Sequence, residues 1–202
     1  MNNELIKRIA SSVFILPVAL FFIIKGTYFF NFFILICLII SIYEWNSMSE
    51  NKEYKIPGIL FLILSFYSVY CIRSEMYGDY IYFIMILFIC IFTDIGGYVF
   101  GRIFKGPKLT KISPKKTYAG VIGGYLFALI FITIFFNNLN YISEITNIEI
   151  SSQKLTLKNF ILTIAISSIS QLGDIFISYF KRKSKIKNTG KIIPGHGGLL
   201  DR

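Results

Sequence analysis

Residues 84–104 read IMILFICIFTDIGGYVFGRIF. An α-helix needs roughly 20 mostly apolar residues to cross the hydrocarbon core of a bilayer, and all but the last four residues of this stretch lie in an apolar run near 79–100. Five further runs of the same kind occur near 9–25, 27–44, 57–72, 117–137 and 159–180. Transmembrane barrels require alternating segments of about 10 residues instead of long continuous ones, so the runs read as helices. The expected fold is all-α: a polytopic integral membrane protein of about six transmembrane helices, forming a single membrane-embedded domain over 1–202. No internal repeat or low-complexity tract interrupts it.

Composition supports that reading. Hydrophobic residues make up 54% of the 202 residues and charged residues only 16%, more apolar surface than a water-soluble domain of this size can bury. Disordered chains are poor in aromatics, whereas this one has 21 Phe and 13 Tyr. Cys37, Cys71 and Cys90 are odd in number and lack metal-type spacing, so buried free thiols are expected. The first apolar run has no small-residue cleavage site after it and reads as a retained span.

The formal net charge is +10. Basic loops beside a bilayer face anionic headgroups, and no nucleic-acid partner is expected. If the N-terminus is cytoplasmic, 17 of the 21 Lys and Arg residues fall on the inner side, leaving Lys25, Arg73, Lys154 and Lys158 outside. That distribution follows the positive-inside rule. It directs attention to the two basic inner segments, 101–116 and 181–202.

Charges within the apolar runs are costly, at least about 2.5–3.5 kcal/mol on insertion scales. Asp94 lies in the fourth run and Asp174 in the sixth. Such acids either serve function or pair with a Lys or backbone donor for structure alone. Gln171, Asp174, Ser178 and Lys181 recur at helical spacing and form one polar stripe toward the inner surface, either a wet, cation-binding track or a polar seam between packed helices. Gly97-x-x-x-Gly101 and Gly120-x-x-x-Gly124 are small-residue patterns of close helix packing.

The inner loops carry groups suited to phosphate. Residues 105–117, KGPKLTKISPKKT, interleave lysines with hydroxyls and turn residues, supplying point charges and donors for phosphate oxygens; an ordinary lipid-facing basic loop has the same composition. The tail KRKSKIKNTGKIIPGHGGLLDR, 181–202, contains the only histidine, His196, among glycines that let backbone N–H groups approach an anion. Asp174 and Asp201 could hold Mg²⁺ against a polyphosphate, because Mg²⁺ takes one or two carboxylates plus phosphate oxygens and water. Metal-assisted phosphoryl or nucleotidyl chemistry at the inner membrane face is the expected class.

These residues resemble a known signature. Ser178-Tyr-Phe-Lys181-Arg182, then Lys187, Gly190, Pro194-Gly195-His196-Gly197-Gly198 and Asp201-Arg202, are similar to the motif of the phosphatidate cytidylyltransferases, or CDP-diglyceride synthases. Upstream, Glu44-Trp45, Thr93-Asp94, Gly96, Tyr98, Gly101-Arg102, Ile112-Ser-Pro-Lys-Lys-Thr117 and Gln171-Leu-Gly-Asp174 also resemble that family, in order and spacing. The resemblance implies a multi-pass inner-membrane enzyme with its active site facing the cytoplasm. It would convert CTP and phosphatidate into CDP-diacylglycerol and pyrophosphate for phospholipid biosynthesis. It also implies Mg²⁺ on Asp174 and Asp201, a second, monovalent cation such as K⁺, and a homodimer among bilayer lipids.

For the catalytic set the resemblance implies Asp174, Lys181, Arg182, His196 and Asp201. For substrate binding it implies Asp94, Ser113, Lys115, Lys116, Thr117, Ser178, Lys187, Gly197, Gly198 and Arg202. The sequence departs from the family at Asn188, usually Asp; at Ile177, usually Glu; and at Tyr118-Ala119, usually Trp-Glu. Family members continue past the position of Arg202 with another Asp and at least one more membrane helix, so a C-terminal helix is expected to be missing here. A related reading is a CTP-dependent enzyme with another lipid acceptor; a different class is an ion-coupled transporter or inactive scaffold, which would have no use for residues 194–202.

Overall fold

The computed structural model describes residues 3–74, 80–110, 112–113, 116–146, 154–193, 195 and 197–201. Seven α-helices follow one another among them: α1 Asn3–Lys25, α2 Thr27–Met48, α3 Lys55–Ser74, α4 Tyr80–Ile103, α5 Tyr118–Asn137, α6 Leu139–Thr146 and α7 Leu157–Lys183. A 3₁₀ turn, Leu199–Asp201, closes the described tail. No strand occurs among the described residues; two isolated antiparallel bridges, Lys108 with Thr117 and Ile193 with Gly197, pinch short loops. The molecule is a polytopic all-α membrane protein.

Five helices, α2, α3, α4, α5 and α7, are long and apolar enough to cross a bilayer. The sequence suggests six. The difference lies in α1, whose apolar part is the shorter Val13–Lys25, because Asn3, Glu4, Lys7 and Arg8 occupy its first turns. On α2, Tyr28, Phe32, Leu35, Ile39 and Tyr43 are exposed and recur at helical spacing, forming the apolar face expected against lipid. Within the long linker expected over 138–158, α6 adds a short helix: the chain leaves α5 at Asn138 and re-enters a helix at once, Ile142 N–H donating to the Asn138 carbonyl at 2.9 Å.

The chain divides into two compact units, Met1–Tyr80 with Ile177–Arg202, and Ile81–Phe176. In the first, Trp45, Met48 and Leu62 form a buried cluster lined by Tyr54, Phe180 and Leu200. Trp45 Nε1 donates to the Lys55 carbonyl at 3.0 Å. Its indole lies against Gly58, where a Cβ would overlap the ring. Phe180 packs 5.0 Å from the Trp45 ring and 4.7 Å from Tyr54, and Tyr54 shares a 2.7 Å hydroxyl hydrogen bond with Ser184. These contacts dock the last turns of α7 on α2 and α3 and so set the position of Lys181. Arg73, one of the few basic residues assigned to the outer side, donates to the Ile23 carbonyl at 2.9 Å and caps the end of α1, where a cation is favoured.

In the second unit α4 and α5 meet backbone to backbone. A Cβ on Gly120 would stand 2.8 Å from the Gly97 carbonyl oxygen, and one on Gly123 2.7 Å from that of Gly96. The small-residue patterns therefore do pack these helices. The approach is tightest at Gly96 and Gly97 against Gly120 and Gly123, while Gly101 faces the Thr117 hydroxyl. Phe92 stacks on Phe131 at 4.8 Å. Buried hydroxyls are paired here, Thr93 with Ser167 at 2.9 Å, so neither is left desolvated without a partner. Cys37, Cys71 and Cys90 are free thiols.

Candidate active site

The second unit contributes a lysine–aspartate pair held by a tight loop. Residues 107–109 lie against residues 116–118: Leu109 N–H donates to the Lys116 carbonyl at 2.8 Å, and Tyr118 N–H to the Pro107 carbonyl at 3.2 Å. The Thr110 hydroxyl accepts the Ser113 N–H at 3.1 Å. Thr117, in extended conformation, caps α5 by accepting the Gly120 N–H at 3.1 Å, as N-cap hydroxyls do. This loop aims Lys116 at α7, where its ammonium meets Asp174 Oδ2 at 3.0 Å and donates to the Gln171 carbonyl at 3.1 Å.

The pair is open to solvent: the side chains of Lys116 and Asp174 are 24% and 50% exposed. Asp174 therefore keeps acceptor capacity beyond Lys116. Gln171 reaches back to Ser167 at 3.4 Å, so that part of the expected stripe is a packed polar seam, whereas Asp174 itself is not buried.

The first unit holds the second acid. Asp201 Oδ1 takes the Lys181 ammonium at 2.6 Å, with side chains 6% and 18% exposed. Its Oδ2 accepts two backbone N–H groups, Thr189 at 2.9 Å and Gly198 at 3.0 Å. Burial by itself would push the Asp201 carboxyl up, but the Lys181 hydrogen bond, the Gly198 and Thr189 amides and the Lys181 charge outweigh it and hold it below the ordinary carboxylate range. The residue is ionised at neutral pH.

The loop between these contacts is pinched by paired hydrogen bonds of Ile193 and Gly197, 2.8 and 3.0 Å. Gly197 has φ +103°, a left-handed conformation that favours glycine, and a Cβ there would stand 2.6 Å from Asp201 Oδ2.

Glu44, which the sequence matched to the family without assigning it a role, is tied to the same tail. Lying on α2 and only 1% exposed, it accepts from Thr189 Oγ1 at 2.8 Å and from the backbone N–H groups of Leu199 at 2.8 Å and Leu200 at 3.0 Å. The signal was present: an acid ending an apolar run, next to the lone Trp.

Of the other residues singled out from sequence, Arg182 and Lys187 are exposed, Ser178 is half-buried, Gly197 and Gly198 are buried, and Asp94 sits on an exposed position of α4. Lys115, His196 and Arg202 lie outside the described residues. Asp174 belongs to the second unit and Asp201 to the first. Among the described residues no cluster of three or more His, Cys, Asp or Glu forms. Hard carboxylate oxygens with Asp174 half-exposed fit Mg²⁺.

Fold and site together define a helical membrane protein that carries two lysine–carboxylate pairs. The sequence profile of the cytidylyltransferase family matches residues 6–81 and 60–202. The phosphatidate cytidylyltransferase of Rickettsia conorii is 34% identical over 212 residues, covering 100% of this chain and 86% of the relative. That of Staphylococcus haemolyticus is 33% identical over 178 residues, covering 83% and 62%, and that of Haemophilus influenzae 37% over 149, covering 73% and 47%. The chain belongs to the cytidylyltransferase family and is a nucleotidyltransferase by descent.

Proposed function

We propose that this protein is a phosphatidate cytidylyltransferase, forming CDP-diacylglycerol and pyrophosphate from CTP and phosphatidate. The observation that carries the reading is the 34% identity extending over the whole chain, with the family's signature residues standing at the two lysine–carboxylate pairs. A phosphatidate oxygen forms a bond to the α-phosphorus of CTP. The bond from that phosphorus to the bridging oxygen of the β-phosphate breaks, and pyrophosphate leaves with the electron pair. Such reactions depend on positioning and charge neutralisation more than on covalent catalysis.

Asp174 and Asp201 are the carboxylates that would hold Mg²⁺, which when bound neutralises charge on the triphosphate and on departing pyrophosphate. The chain's own residues do the rest. Lys116, turned by its loop toward Asp174, supplies a cation to the substrate phosphates. Lys181, held beside Asp201 by the docked end of α7, would supply a second cation to substrate phosphate. Arg182 and Lys187, both exposed, offer charge to the lipid headgroup. Ser113, Lys115, Thr117, Ser178, His196 and Arg202 complete the proposed substrate contacts. The bias of basic residues supports a cytoplasmic active site in the inner membrane, and the family supports a homodimer and a second, monovalent cation.

The direct test is membranes expressing the protein, supplied with labelled phosphatidate, CTP and Mg²⁺. CDP-diacylglycerol above the level of control membranes is expected; its absence from membranes that contain the protein overturns the proposal. In the same assay Lys116→Met is expected to lower kcat/KM for CTP by about 10- to 100-fold, the worth of a charged hydrogen bond. Its melting temperature should barely move, because exposed ion pairs contribute less than about 1 kcal/mol.

A further inference from the structure

Glu44 is buried at 1% exposure, and its carboxylate accepts hydrogen bonds from three groups of the tail. Its Oε1 accepts the Leu199 N–H, and its Oε2 accepts the Leu200 N–H and the Thr189 hydroxyl. Leu199–Asp201 is the 3₁₀ turn, so a side chain from α2 does for that turn what an N-cap residue does for a helix, satisfying its first amides from outside. Three donors converge on the two carboxylate oxygens. A carboxylate offers an acceptor to each, whereas a carboxamide would turn an N–H toward other donors.

The packing agrees. A Cβ on Gly190 would come 2.8 Å from Glu44 Oε1, and one on Gly198 would fall on Oε2. Two tail glycines thus make room for this carboxylate.

The same segment that Glu44 grips from one side is gripped by Asp201 from the other. Thr189 gives its hydroxyl to Glu44 and its amide to Asp201. Gly198, whose amide also goes to Asp201, directly precedes the Leu199 amide held by Glu44. We propose that Glu44 is a positioning residue: through Thr189 and the Leu199–Asp201 turn it fixes the orientation of the Asp201 carboxylate, and with it Lys181. This rests on the reading of Asp201 as part of the cytidylyltransferase site. Glu44 touches no reacting atom and acts only by holding the group that does, as the outer partners of metal-ligating side chains do.

The test uses the full-length protein, purified, as wild type, Glu44→Gln and Thr189→Val. Hydrogen exchange is followed over 189–201, and activity is measured against Mg²⁺ and CTP. Glu44→Gln is expected to speed exchange of the Leu199 and Leu200 amides about tenfold or more while α2, α3 and α7 exchange as in wild type. It should lower kcat by about 10- to 100-fold and raise the Mg²⁺ concentration for half-maximal rate about tenfold, the scale of loss when the hydrogen-bond partner that orients a metal ligand is removed. A reduced folded fraction would lower the rate but leave that Mg²⁺ requirement in place. Thr189→Val, which removes one hydrogen bond of the three, should show the same changes in smaller measure, and it carries the test if Glu44→Gln does not fold. Unchanged tail exchange in a folded variant overturns the proposal, as does faster exchange with an unchanged Mg²⁺ requirement. Failure of wild type to make CDP-diacylglycerol would overturn the assignment of function instead, and the exchange measurement would still decide whether Glu44 anchors the tail.

Discussion

Asp174→Asn is expected to lower CDP-diacylglycerol formation by on the order of 10²–10³-fold, the scale seen when one preorganised electrostatic contact is removed from a transition state. The substitution keeps shape and deletes the charge. Lys116 then faces a neutral amide in place of the carboxylate oxygen at 3.0 Å, and the proposed divalent cation would lose an anionic ligand. Stability should hardly change, since the side chain is half exposed and its ion pair contributes at most about 1 kcal/mol. Initial rates and a melting curve on the same preparation separate the two effects. Activity within a few-fold of wild type would remove Asp174 from the metal site.

Asp201→Asn is expected to fail on both counts. Asp201 is nearly buried and holds Lys181 at 2.6 Å; removing one partner of a buried pair costs about 3–5 kcal/mol, with the lower end apt here because Lys181 keeps some exposure. Activity should fall beyond detection, as the tail turn, Lys181 and the carboxylate are lost together. The pH dependence has a definite sign. A carboxyl held below its ordinary value contributes stability that is complete above that value, near 3.9, and lost as pH falls through its lower folded value. Tail docking should therefore be flat from neutral pH down to about 5 and weaken only below about 4, where wild type and Asp201→Asn should converge. Tail hydrogen exchange against pH measures this. A transition in wild type near pH 6 would contradict the assignment.

Much of the fold was legible because a bilayer imposes one rule: uninterrupted apolar runs of sufficient length become helices. Each expected span corresponds to a single helix of the structure, although residue 79 lies outside the described residues and Thr117 is the extended cap of α5 instead of its first turn. The glycines of α4 and α5 likewise betrayed close packing, although which of them meet depends on helix rotation, a tertiary property that puts Gly96 and Gly123 at the centre. The chemistry of the loops was legible as composition, but not the pairing. That Lys116 and not Lys105 or Lys108 reaches Asp174 follows from hydrogen bonds between Leu109 and Lys116 and between Pro107 and Tyr118.

Glu44 shows the limit most clearly. Read along the chain it is an acid at the edge of a span, matched to the family beside Trp45 but with nothing local to show what it holds. Its burial is caused by a segment about 150 residues later folding over it, the separation spanned by its contacts with Thr189, Leu199 and Leu200. Asp174 illustrates the reverse, an acid inside an apolar run that the structure leaves half exposed beside a lysine.

The most direct measurement of the central claim follows two labels. Purified protein is incubated with phosphatidate, Mg²⁺ and CTP labelled at either the α- or the γ-phosphorus. Cytidylyl transfer predicts α-label in a lipid-extractable product and γ-label in pyrophosphate, both in equal amount and both lost in Asp174→Asn. Recovery of γ-label in lipid, or of neither label beyond a no-enzyme control, would contradict the account.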